Sequence, residues 1–98
     1  MFARVTHVQY PQEVVEQLEQ TARQAGQQVG PIMKGIQGFR GGYWLSDNRG
    51  TFIGMTMWDT MEAIQQYEAA TAQLRAAAAQ GQPQQVIQYY EVYETIMP

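Results

Sequence analysis

His7 is the only histidine in the chain, and so the only side chain whose unperturbed pKa lies near neutrality. Set against a weakly acidic ligand, it could act as a general base and take the ligand's proton. A histidine satisfied within its strand or seated at an interface would do none of this. The chain has no cysteine, a single imidazole makes no ordinary metal site, and no carboxylate pattern supplies one, so neither a metal nor another cofactor is expected. Nor does one histidine without a nucleophile motif suggest a Ser-His-Asp arrangement.

The second group with chemical potential is aromatic. Phe39, Tyr43, Phe52 and Trp58, with Tyr67 on a helix above them, could wall a pocket for a flat ligand. The alternative for Trp58 is a core tryptophan whose indole N–H bonds to a backbone carbonyl. Tyr89, Tyr90 and Tyr93 add hydroxyls, though tyrosine is also an ordinary sheet residue. Arg40, beside two glycines, could meet a partner subunit, steer an anionic ligand or form a salt bridge. Gly35, Gly38, Gly41 and Gly42 are not a phosphate loop, since they precede or lie in a strand and no Lys-Ser/Thr follows.

With 98 residues, one domain spanning 1–98 must position these groups, and a domain of this size buries only about 60–65% of its unfolded surface. Six Lys and Arg against nine Asp and Glu give a net charge of −3. The basic residues are scattered, which argues against a nucleic-acid partner. No apolar run approaches a membrane span, and MFARVTHVQYPQ lacks the pattern of a signal peptide. Together with the absence of cysteine this predicts a soluble cytoplasmic protein.

Phe2 to Tyr10 mixes aromatic and β-branched residues and predicts a strand that ends at Pro11. Val14, Leu18, Thr21, Ala22, Ala25 and Val29 recur at helical spacing. Gly30-Pro31 should break or kink that helix, leaving Ile32, Met33 and Ile36 as anchors on a short connection. Strands at 39–46 and 51–58 flank the turn-like Ser46 to Gly50. Asp59 and Glu62 resemble a capping box for a second helix with the stripe Met61, Ile64, Tyr67, Thr71, Leu74 and Ala78, stopped by Gly81 and Pro83. The Gln-rich 80–85 reads as a polar loop, and a last strand runs from Val86 to Ile96. The order β-α-β-β-α-β predicts a ferredoxin-like α+β fold, a four-stranded antiparallel sheet with both helices on one face.

If Ser46 stands opposite Thr51, alternation groups Phe39, Tyr43, Leu45, Phe52, Thr56 and Trp58 on one face and Arg40, Trp44, Ile53, Met55 and Met57 on the other. A one-residue slip would exchange Trp44 for its neighbours. Both faces are apolar while the helices cover one, and each large apolar side chain left in water forgoes roughly 1.5–3 kcal/mol. The expectation is a homodimer, sheet face against sheet face, with Trp44, Ile53, Met55, Met57 and Arg40 at the interface.

Through GFRGGYWL (38–45), MTMWDTMEA (55–63) and VIQYYEVYE (86–94), the chain resembles the antibiotic biosynthesis monooxygenase superfamily of dimeric α+β barrels, in particular its short uncharacterised bacterial members. The resemblance implies a pocket between sheet and helices. Better-known members use that pocket for cofactor-independent oxidation of phenols or quinols, or for oxidative haem degradation. It also carries over Trp58, the residue closing the third strand. Haem-degrading members have an Asn on the first strand and an iron-ligating His on the second helix. Here that helix has no histidine, and the first strand offers His7 in roughly the Asn region. Three functions are therefore in view: a cofactor-independent monooxygenase or oxidase of a small aromatic compound, a non-catalytic dimeric ligand-binding or stress-response module, and, third, haem binding.

Overall fold

A computed structural model of the chain describes residues 1–80 and 83–98, leaving aside the side chains of Leu18, Glu19, Ala22, Ala78 and Ala79. The elements in chain order are β1 (Phe2–Gln9), a single 3-10 turn (Gln12–Val14), α1 (Val15–Lys34), β2 (Phe39–Ser46), β3 (Thr51–Trp58), α2 (Met61–Ala79) and β4 (Val86–Glu91). The strands form one antiparallel sheet in the order β2-β3-β1-β4. This is the ferredoxin-like arrangement expected, with both helices contributing to one core: Met33 and Ile36 from the end of α1 and the turn after it, Ala63, Ile64 and Tyr67 from α2, and Trp58 beneath them.

Several local expectations give way to stronger forces. α1 does not stop at Gly30-Pro31 but continues to Lys34 with Pro31 inside it. A proline in a helix costs on the order of 3 kcal/mol. Carrying the helix through swings Met33 and Ile36 into the core, both nearly fully buried, and two such burials offset that cost. Thr21 and Ala25 of the expected α1 stripe are exposed and Val29 is half-buried, while Leu18 and Ala22 lie outside the described side chains. On α2, Leu74 of the expected stripe is exposed, the Ala78 side chain and the expected stop at Gly81 fall outside the described positions, and the helix ends at Ala79, before Pro83. Asp59 does not cap α2. Thr60 does, in extended conformation, its hydroxyl accepting from the Ala63 N–H at 3.1 Å, because Asp59 is taken by Arg40. β4 ends at Glu91 rather than Ile96: its partner β1 starts at Phe2, and once the Val92 N–H has bonded to the Met1 carbonyl at 2.9 Å no neighbouring strand remains.

The hairpin register is the correction that bears on function. Over 41–46 the pairing is shifted by one residue from the expected one, with Ser46 opposite Phe52, Trp44 opposite Gly54 and Tyr43 opposite Met55. The turn dictates this. The Asp47 carboxylate accepts from the Arg49 and Thr51 backbone N–H groups at 2.7 and 3.1 Å, Asn48 takes φ 61°, and the Gly50 carbonyl accepts from the Tyr10 N–H at 2.8 Å. A β-bulge at Arg40 takes the shift back, so Phe39 still faces Trp58. Directly paired residues share a face. Trp44 therefore joins Trp58 on the helix side, and Tyr43 and Leu45 move to the open side with Ile53, Met55 and Met57.

Gly50 has φ +109°, and a Cβ there would stand 2.1 Å from the Tyr10 carbonyl oxygen. Gly50→Ala is expected to cost about 2 kcal/mol or more, lowering the thermal midpoint by roughly 10 °C in a calorimetric comparison with the unaltered chain. An unchanged midpoint would remove this turn from the determinants of register.

Candidate functional site

The helix side of the sheet is organised in rows set by strand pairing. The first row, Phe39, Trp58 and Phe2, lies under the end of α1 and the start of α2. Trp58 is fully buried. Its ring stands 4.9 Å from Phe39 and 5.3 Å from Tyr67, and its indole N–H donates to Thr56 Oγ1 at 2.9 Å. Of the expected aromatic wall the structure brings together Phe39, Trp58 and Tyr67. Phe52 is elsewhere, edge-on to Tyr10 with centroids 5.6 Å apart, and Tyr43 is on the open face, 62% exposed, because of the register shift.

His7 does not share this side. It pairs with Ile53 on β3 and Val86 on β4, so the sheet itself separates its imidazole from Trp58, and within one chain the two cannot serve one ligand. The β1 residue that alternation does place on the helix side here is Thr6. Arg40, expected on the Trp44 face, sits at the bulge with its guanidinium clasping the Asp59 carboxylate through two contacts, 2.5 and 3.0 Å. That clasp holds the Asp59 carboxyl below its usual range.

Beside the aromatic row lies a polar cluster that sequence reading missed. Arg4, nearly fully buried, donates from Nε to Glu68 at 3.0 Å and from Nη1 to Thr6 Oγ1 at 3.2 Å, and its guanidinium lies 5.3 Å from the Tyr67 ring centroid. The Tyr89 hydroxyl makes a short hydrogen bond to Glu68. Burial works against the ionised Glu68, but the hydrogen bonds from Tyr89 and Arg4 prevail and hold its carboxyl below the ordinary glutamate value; the same bond raises the Tyr89 phenol. Arg4 Nη2 is buried without a partner among the described residues. The available signal was alternation: Arg4 is two residues from Phe2 and Thr6, and a cation on a covered face needs a carboxylate.

The open space is on the other flank, between the second half of α1 and β2. A groove of about 540 Å³ is lined by Arg23, Gly26, Gln27, Gly30, Met33 and Lys34 from the helix and by Phe39, Gly41, Gly42 and Trp44 from the strand. Two glycines make room above, since a Cβ at Gly26 or Gly30 would meet nothing within 4 Å. Below, the Trp44 indole lies across Gly42 and Gly54, its Cη2 and Nε1 at 3.2 and 3.5 Å from where their Cβ atoms would be. The arrangement can hold a flat apolar body on an indole, with cations at its lip. Among the described residues no group of His, Cys, Asp and Glu is placed to hold a metal, and no helix is long and apolar enough to cross a membrane.

No family model and no curated protein matches the chain. Solved structures do. A monooxygenase from the gene ActVA-Orf6 of Streptomyces coelicolor, in complex with nanaomycin D, matches with TM-score 0.69 at 18% identity, covering 99% of this chain and 91% of that one. SnoaB, a cofactor-independent oxygenase from Streptomyces nogalater, matches as a mutant with TM-score 0.68 at 14% identity, covering 97% and 95%. A mutant of MhuD with two manganese protoporphyrins per active site matches with TM-score 0.74 at 18% identity over the whole of both chains. Further matches are named as antibiotic biosynthesis monooxygenases. The chain has the fold of these proteins.

Glu68→Gln is expected to cost about 1–3 kcal/mol at pH 7 by leaving Arg4 buried and unpaired. Because the folded carboxyl titrates below its unfolded value, this contribution is fully present above about pH 4.3 and is lost as pH falls through the folded value. Denaturant melts of both proteins should therefore converge in acid. A gap that persists undiminished at pH 2 would show that the ion pair is not its source.

Proposed function

We propose that the protein is a cofactor-independent monooxygenase or oxidase of a small planar phenol or quinol, bound in the groove between α1 and β2. The observation that carries this reading is the groove itself: a slot lined by Trp44 and Phe39, with Trp58 and Tyr67 packed behind Phe39. The fold likeness to oxygenases supports the reaction class. In an anthrone oxidation the ring CH2 becomes a carbonyl with one oxygen atom of O2, and the other leaves as water with the two hydrogens. For a quinol, two electrons and two protons pass to O2 and give hydrogen peroxide. What the protein would add is a flat aromatic seat and a lip bearing Arg23 and Lys34, whose charges favour the ionised, electron-rich form of the substrate.

Oxygen uptake with a panel of anthrones and hydroquinones tests this. Turnover is expected, Trp44→Ala should weaken aromatic binding about tenfold, and His7→Ala should leave the rate within about twofold because its imidazole is on the far face. Absence of uptake across the panel would refute the oxygenase reading. A second reading, a non-catalytic binder, is favoured by a lining that, among the described residues, has no carboxylate, imidazole or phenol. It predicts that a bound aromatic is recovered unaltered in air. Haem ligation fits the residues poorly, since the lining offers no histidine, cysteine or tyrosine to iron. No sharp Soret shift is expected on titration.

The open face is the proposed seat of a homodimer. Ile53, Met55 and Met57 run along it between exposed Tyr43, Leu45, Val86 and Tyr90, an apolar expanse uncommon on a monomer's surface. Sedimentation should give twice the chain mass, and Tyr43→Glu, which alters no core residue, should shift it towards one.

A further inference from the structure

The groove's charge says more about its ligand than its aromatic floor does. The chain carries net charge −3 with only six Lys and Arg in all, yet two of those six lie on this lip and, among the described residues, no carboxylate lines it. The helix accounts for the placement. Arg23, Gln27, Gly30 and Lys34 follow one another at intervals of four, three and four, which keeps them on one face of α1. Among the described residues neither cation of the lip is in an ion pair; the salt bridges these residues form use Arg4 and Arg40, which lie outside the lining.

The topology also separates the two cations. β2 runs parallel to β1, both being antiparallel to β3, so the connecting α1 runs antiparallel to β2. From Arg23 to Lys34 the helix advances roughly 16 Å, and from Phe39 to Trp44 the strand advances about 17 Å. Lys34 therefore belongs to the Phe39 end of the groove and Arg23 to the Trp44 end. A guanidinium matches a carboxylate in shape, through two parallel N–H donors, where an ammonium acts as a point charge.

We infer that the ligand of this groove is a planar aromatic carboxylate, its ring on the Trp44 indole and its acid group held by Arg23, with Lys34 adding attraction from the other end. This rests on the proposed groove and specifies its ligand further. It is independent of whether the ligand is oxidised.

Calorimetric titration of the full chain with anthracene-2-carboxylate and with the corresponding carboxamide tests it. The two probes share one ring system and differ in charge. At pH 7 and low salt the acid is expected to bind at least tenfold tighter than the amide. Arg23→Gln should remove most of that preference while leaving amide affinity unchanged, Lys34→Gln should reduce it by a smaller factor, and Gly26→Phe, which fills the space above the floor, should abolish binding of both. Equal affinity for acid and amide would overturn the inference and leave the aromatic groove standing. A preference that survives Arg23→Gln, or acid binding that survives Gly26→Phe, would overturn the assignment to this site. If neither probe binds, the groove reading falls and the inference with it.

Discussion

The bulge at Arg40 is the point on which the helix side of this molecule turns. Phe39 and Trp58 must stay opposite each other, because their rings, packed at a tilt, close the first row of the core. The turn at Asp47 to Gly50 imposes a different register at the other end of the hairpin. Both demands are met only if one residue of β2 has no partner. That residue is an arginine, put outside the ladder and clasped by the first residue after β3. Without the extra residue, Trp44 would stand on the open face and the groove would have no floor. The site is thus a product of two local constraints reconciled by a single unpaired position.

The architecture was legible because it depends on signals that sum over many residues. Strand-forming runs, one amphipathic helix stripe and a Pro or Gly at most junctions predict the element order, and the order selects the fold. The faces of β2 were harder to read, since a period-2 element transmits any one-residue error to every side chain. The turn that decides the matter draws on the Asp47 side chain and on a backbone bond to Tyr10, a residue of another segment. Sequence can suggest the first and not the second. Trp58 and Tyr67 were legible as aromatic neighbours, whereas Arg4 with Glu68 was not, because 64 positions separate them and neither lies in a motif. Pro31 misled for a related reason: its local penalty was visible, while the core position it allows Met33 to reach was not.

The sheet sorts its functional groups by parity. On even-numbered positions of β1 lie Phe2, Arg4 and Thr6, under the helices; on odd-numbered ones lie Ala3, Val5 and His7, away from them. The only imidazole is therefore tied to the apolar open face and the buried guanidinium to the covered one. Chemistry that needs a neutral-pH base and chemistry that needs a flat aromatic seat are divided between surfaces that one chain cannot bring together.

β2 is an edge strand, and the groove is built against it rather than at the centre of the sheet. A slot with a helix above and an edge strand below has a roof and a floor but lacks a wall on its outer flank. Such a slot gauges thickness strictly and width loosely. Ring systems one atom deep would enter whatever substituents trail from their outer side, while a puckered or branched molecule of the same mass would be turned away. Selectivity of this kind favours a class of compounds over any single member of it.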